Sequence, residues 1–207
     1  MGVSSQVMDV VEGLDRMGFL PGPVQGDLDN PQHIGFGQTM SASWIAAWQA
    51  ALLDIKQGEK ILEIGGGCGY LATILSRLGA TVHAVEIIPF LAQQAFFKVD
   101  PGVRVWQGNG FLGIPQEAPF DGIVISCMVP HEGCLMALIP QLKTGSRIIY
   151  PRSLYENNGL MMKASLRPDG EMAVRPVRGP GVAFVPVMGL LTALFPQRVG
   201  EKSSAGR

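Results

Sequence analysis

The octet Glu63-Ile64-Gly65-Gly66-Gly67-Cys68-Gly69-Tyr70, entered from the apolar run Lys60-Ile61-Leu62, constrains this chain more than any other stretch. It reads as a strand that turns into a helix, which is the local form of a cofactor cradle. Glycines at 65, 67 and 69 let the backbone turn tightly and approach a ligand where a Cβ would collide. A nicotinamide-binding turn wants Gly-x-Gly-x-x-Gly, but position 70 is tyrosine, and Glu63 would repel a pyrophosphate. A cationic, phosphate-free ligand fits better. S-adenosylmethionine is such a ligand, and a strand-end carboxylate at Glu63 suits its amino group.

The next acid points the same way. Helical text from Tyr70 to Leu78 ends at Gly79, strand-like text runs from Thr81 to Val85, and Glu86 stands at its end. A carboxylate there, beside the first turn, can accept both ribose hydroxyls of a nucleoside. A glycine-rich strand-helix turn alone occurs in many α/β proteins. Two acids at matching strand ends make the nucleoside reading specific.

Beyond this pair the chain alternates. Strands are expected at 60–64, 81–85, 103–107, 122–126 and 147–150, with helices at 70–78, near 90–98 and near 133–142. Such alternation argues for a doubly wound, mostly parallel sheet in a Rossmann-like α/β fold, with ligands outside the carboxyl ends of the strands. Ahead of it, apolar residues at 7, 10, 11, 14 and 17 predict a first helix capped by Ser4 or Ser5, and Ser43 to Leu53 predicts a second. Residues 18–38, rich in Pro and Gly, read as a long irregular segment, and such loops are usually functional. After residue 150 the runs 160–166 and 172–174 read as a hairpin around Asp169-Gly170, a C-terminal antiparallel addition, and 182–187 as a last strand. This gives one domain over 1–207: N-terminal helices and a substrate loop (1–58), a cofactor-binding core (59–150), a β extension (151–195) and a tail (196–207).

Composition excludes more than it selects. With 16 basic and 17 acidic residues the formal charge is -1, so there is no electrostatic footprint for nucleic acid or an anionic membrane. The N-terminus lacks the pattern of a signal peptide, and a cytoplasmic monomer is the expectation. Cys68, Cys127 and Cys134 form no Cys-x-x-Cys, and the three histidines show no ligand spacing, so no disulfide framework and no metal are expected. His83, inside a strand, reads as structural.

With these pieces in place the chain resembles the protein-L-isoaspartate (D-aspartate) O-methyltransferase family from about Gly18 to Met188. The likeness is carried by Ile34-Gly35-Phe36-Gly37-Gln38-Thr39-Met40-Ser41 and by the glycine turn. It continues in Gly108-Asn109-Gly110, Ala118-Pro119-Phe120-Asp121, Gln141-Leu142-Lys143 and Phe184-Val185-Pro186. The glycine turn belongs to methyltransferases generally, whereas the Gly-x-Gly-Gln-Thr-x-Ser segment points to this family. The resemblance implies S-adenosylmethionine held by Glu63, Gly65, Gly67, Gly69, Glu86, Gly108, Asn109 and Gly110. It also implies an isoaspartyl carboxylate bound by Ser41, with Thr39 and Met40 shaping the same loop, and succinimide formation that repairs aged proteins and peptides. Ser41 also reads as a helix N-cap, and the two roles are compatible.

The sequence departs from the family pattern at several points. Ser43 stands where a proline is usual and is followed by the bulky Trp44, Asn109 replaces the adenine-contacting aspartate, and Thr144-Gly145-Ser146-Arg147 and Pro151-Arg152-Ser153 differ near the substrate side. Asn109 can still meet an adenine amino group through its carbonyl oxygen. These departures leave two alternatives open: a different acceptor carboxylate on a dedicated peptide or small molecule, or a cofactor-binding protein without turnover.

Overall fold

The structure is a computed structural model, and it describes residues 2–155, 158–189 and 195–200. Helix α1 (Ser5–Glu12) is capped by Ser4, whose side chain accepts from the Val7 N–H, and buries Val7 and Val11. It is shorter than the apolar spacing suggests. The chain breaks at Gly13 and resumes as a 3₁₀ turn at Arg16–Phe19, which leaves Met17 58% exposed and Arg16 only 5% exposed.

The segment read as irregular contains a small hairpin, β1 (Gln32–Gly35) and β2 (Gln38–Met40). Its turn is Phe36-Gly37, both at positive φ, the form that matches the twist of two short strands. Helix α2 (Ser43–Leu53) follows, capped by Ala42 with no side-chain bond, so Ser41 is not its N-cap.

The core alternates as expected: β3 (Lys60–Ile64), α3 (Tyr70–Arg77), β4 (Thr81–Glu86), α4 (Pro89–Lys98), β5 (Val103–Gln107), β6 (Phe120–Ile125) and β7 (Leu142–Tyr155). The expected helix near 133–142 is instead two 3₁₀ turns, Glu132–Leu135 and Ile139–Gln141. Gly133 weakens helix at one end, and Pro140 cannot donate a backbone bond at the other. The strand expected at 147–150 extends over all of β7. It then turns into β8 (Asn158–Leu166) and β9 (Met172–Pro176), the antiparallel addition. Residues 182–187 form bridges only, at Val182 and Pro186, where Pro180 and Pro186 lack the N–H a ladder needs. Gln197–Arg198 (β10) pairs with β5, and the tail beyond Gly200 lies outside the described residues.

The sheet runs β10-β5-β4-β3-β6-β7-β8-β9, with the five strands β5 to β7 parallel. One core layer packs α1, α2, α3 and α4 on one face, and a second gathers Leu62, Phe111, Phe120, Ile123 and Tyr150 on the other. His83 is fully buried in this second side, stacked on Trp106 and edge-on to Phe120. The order reverses between β4-β3 and β6-β7, so a crevice must open at the carboxyl end of β3.

Candidate active site

Two adjoining cavities occupy that crevice. One is lined by Gly65, Gly67, Glu86, Gly108, Asn109 and Gly110, the other by Thr39, Met40, Ser41, Glu63, Gly65 and Gly67. Of the residues singled out from sequence, only Gly69 lines neither. It caps α3 at φ 87°, and a Cβ there would run into Val99, so packing against the end of α4 requires the glycine.

The turn is built by the sheet. Gly65 and Gly66 both donate to the Val85 carbonyl, at 2.9 and 3.0 Å, which folds the chain back over β4. Gly65 sits at φ 81°, a conformation costly for any residue with a Cβ. The Glu86 carboxylate then accepts from Gly67 N–H and Ile88 N–H, each at 2.8 Å. Burial raises its pKa, against the pull of those backbone donors. Ile34 of the hairpin reaches the turn, its Cδ1 lying 3.2 Å from where a Cβ on Gly67 would be. That contact places Thr39 to Ser41 over the glycines.

Glu63 is the electrostatic centre of the site. It is 1% exposed, its Oε1 has only a long 3.5 Å contact from Ser126 Oγ, and its Oε2 has no partner among the described residues. Burial, and then the nearby Glu86 carboxylate, push its pKa well above the ordinary value. A buried acid with a vacant oxygen beside a glycine turn asks for a cation with N–H donors. The ammonium of S-adenosylmethionine meets that demand, and Glu86, at the end of the next strand, is suited to accept from ribose hydroxyls.

Asn109 lines the cavity with its amide anchored by the protein. Its Oδ1 accepts from Phe111 N–H at 3.1 Å and its Nδ2 donates to the Gly189 carbonyl at 2.9 Å, so both ends bind the protein. Sequence reasoning also missed Val185 to Met188, which line the same cavity. The signal available was the Phe184-Val185-Pro186 run.

One departure was misplaced. Arg147 pairs with Gly122 at the start of β6 and binds the carbonyls of Leu53, Asp54 and Asp121. That is the amino end of the strands, opposite the site, so the Thr144 to Arg147 change does not touch substrate. Pro151 and Ser153 do lie at the ligand end, bonded to Val129.

A doubly wound sheet with a glycine turn, a vacant buried acid at one strand end and a second acid at the next defines an S-adenosylmethionine-dependent methyltransferase. Among the described residues no cluster could hold a metal and no helix is long and apolar enough to cross a membrane. A family model, Protein-L-isoaspartate(D-aspartate) O-methyltransferase, matches residues 1–192, and the chain belongs to that family. Protein-L-isoaspartate O-methyltransferase 2 of Nitrosococcus oceani is 37% identical over 89% of this chain and 84% of its own. The Gloeobacter violaceus protein-L-isoaspartate O-methyltransferase is 36% identical over 90% and 92%. A solved protein-L-isoaspartate O-methyltransferase superposes with a TM-score of 0.79 at 23% identity, over 92% of this chain and 63% of that longer one. A Plasmodium falciparum structure described with S-adenosyl-L-homocysteine superposes at 0.68 with 18% identity, over 88% and 90%, and supports the fold.

Proposed function

We propose that this enzyme methylates the free α-carboxylate of L-isoaspartyl residues in damaged proteins and peptides, the step that initiates their repair. The observation that carries the reading is the convergence of Ser41, from the Gly-x-Gly-Gln-Thr-x-Ser segment, with Glu63 and the glycine turn in one cavity. When bound, S-adenosylmethionine supplies a methyl group on a cationic sulfur. Glu63 would hold its ammonium, Glu86 its ribose, and Gly65, Gly67, Gly108, Asn109 and Gly110 would shape the cradle, with Gly69 setting the start of α3.

The acceptor needs no general base. An α-carboxyl group has a pKa of about 3.3 to 3.7 and is already ionised at neutral pH. The site has only to hold it in line, and positioning supplies roughly 7 to 11 kcal/mol in favourable cases. Transfer neutralises two opposite charges, so a strong ion pair to the carboxylate would favour the ground state over the transition state. Accordingly, among the described residues no Lys or Arg lines the cavity of Ser41. The Ser41 hydroxyl has no partner among the described residues and is free to donate to the carboxylate, with Thr39 and Met40 forming the wall. The enzyme acts as a cytoplasmic monomer, and the charge of -1 argues against a nucleic-acid substrate.

The test is transfer of labelled methyl to an isoaspartyl peptide, beside its aspartyl twin, an enzyme-alone blank and Ser41→Ala. The blank is needed because Asn109-Gly110 and Asn158-Gly159 are themselves prone to deamidation. Base-labile label on the isoaspartyl peptide alone, weakened in the variant, is the expected result. Cofactor binding without such label would refute the assignment.

A further inference from the structure

A groove of about 630 Å³ opens between α1, the Arg16–Phe19 turn and the first half of α2. Tyr70 lines both this groove and the cavity that holds Ser41 and Glu63. Its walls are apolar, with Val11, Leu14 and Ala47 buried and Met8, Met17 and Trp44 37, 58 and 48% exposed. Apolar surface of this kind left open beside a site marks a place for a ligand group.

The lip carries the exposed acids Glu12, Asp15 and Asp29. Among the described residues that line the groove the one base is Arg16. Residues 1–53 hold Asp9, Glu12, Asp15, Asp27 and Asp29 against one Lys or Arg, Arg16, while the Lys98 ammonium is drawn to the Phe19 and Leu20 carbonyls at the end of the turn. Arg16 is buried and donates to the carbonyls of Leu28, Asn30 and Ser41. A chain that is nearly neutral overall therefore presents a locally negative field around this groove.

Ser43 and Trp44, which replace the proline-containing pattern of the family, build the outer wall. Ser43 N–H donates to the Asp29 carbonyl at 3.1 Å and Ser43 Oγ to Asp29 Oδ1 at 2.8 Å. Proline could make neither bond. They pin the 27–30 loop as one bank, and Trp44, stacked on Trp48 at 6.2 Å between ring centroids, forms part of the other. Arg16 ties the floor to Ser41 itself, donating from Nη2 to the Ser41 carbonyl at 2.6 Å.

We infer that this groove is a specificity subsite for the polypeptide that carries the isoaspartyl residue. It takes a bulky apolar side chain near the damaged position, with an adjacent Lys or Arg on the acidic lip. The inference rests on the proposed function and adds the flanking sequence that this chain selects.

The experiment uses the full chain and a panel of isoaspartyl peptides that differ only in a flanking pair: Leu-Lys, Leu-Glu, Ala-Lys or Ala-Glu. Leu-Lys should exceed Ala-Glu by about tenfold in kcat/KM, mostly through KM. Trp44→Ala should erase the Leu over Ala preference, Glu12→Lys should remove the Lys over Glu preference, and added salt should weaken only the latter. In parallel, aspartyl twins are titrated against tryptophan emission, read as the difference between wild type and Trp44→Phe, since Trp44 is 48% exposed where Trp48 and Trp106 are 4 and 5% exposed. The Leu-Lys twin should shift that emission at lower concentration than the Ala-Glu twin. If no isoaspartyl peptide is methylated, the proposed function falls while the titration still decides the groove. Equal kcat/KM across the panel, or twins that bind alike, would overturn the inference and leave the groove to a second copy of the chain or a small apolar ligand.

Discussion

Asn109 donates its side-chain amide to the carbonyl of Gly189 at 2.9 Å, across 80 residues of chain, while its own oxygen caps Phe111. The bond joins the end of β5 to the C-terminal segment that lines the same cavity. An aspartate at this position has no donor when ionised and would set a carboxylate oxygen against the Gly189 carbonyl.

Asn109→Asp should therefore destabilise the protein by about 1 to 3 kcal/mol. Urea unfolding checks this, and an unchanged midpoint would show that the bond to Gly189 contributes nothing.

Glu63→Gln separates binding from stability. Removing the carboxylate should weaken S-adenosylhomocysteine by about tenfold or more, since a charge-assisted bond is worth roughly 1.5 to 3 kcal/mol. The ligand-free protein should melt no lower than the wild type, because a vacant buried carboxylate is costly. Because the Glu63 pKa is raised, affinity in the wild type should fall as pH is lowered and the acid protonates, and the variant should flatten that profile. Calorimetry over a pH series, with a melt of each apo protein, reads both effects.

His83 sets an acid limit on stability. Burial first, then Arg104, Lys60 and Arg198, lower its pKa to about 4 from 6.5. The unfolded chain thus binds a proton that the folded chain refuses, so stability falls as pH drops below about 6.5, and the loss is complete near 4. The full loss is on the order of 3 kcal/mol. A His83→Phe variant should lose this part of the pH dependence in urea titrations; a wild-type slope in the variant would assign it elsewhere.

Arg147→Met should cost about 3 kcal/mol or more without changing kcat at a permissive temperature. Arg147 forms paired bonds of 2.8 and 2.6 Å to Glu59, both side chains being under a fifth exposed. Burial works to raise the Glu59 pKa, and the bonds from Arg147 and the Lys56 N–H overcome it and leave it lowered. A fall in kcat in the folded variant would contradict the placement of Arg147 at the edge opposite the site.

The glycine turn, its two acids and the strand-helix alternation were legible because each is a local pattern with one regular solution. Strand ends at Glu63 and Glu86 follow from period and punctuation alone. Less was legible where the residue's partner lies far along the chain. Arg16, which no local pattern singles out, is buried because the carbonyls of Leu28, Asn30 and Ser41 converge on it. The text near 133–142 reads as a helix, yet Gly133 and Pro140 near its ends, and Gln141 bonded to Ile114, Leu112 and Ala137, divide it into turns.

The sequence by itself therefore determined the fold class, the family and the placement of two acids at strand ends, since covalent spacing and hydrophobic period act over a few residues. Only the tertiary structure decided which polar atoms remain vacant. Among the described residues Glu63 keeps an unpaired oxygen, the Asn109 amide is anchored by the protein at both ends, and Arg16 turns its charge inward from an acidic groove. Those outcomes depend on hydrogen-bond partners and burial that exist only once distant segments have packed together.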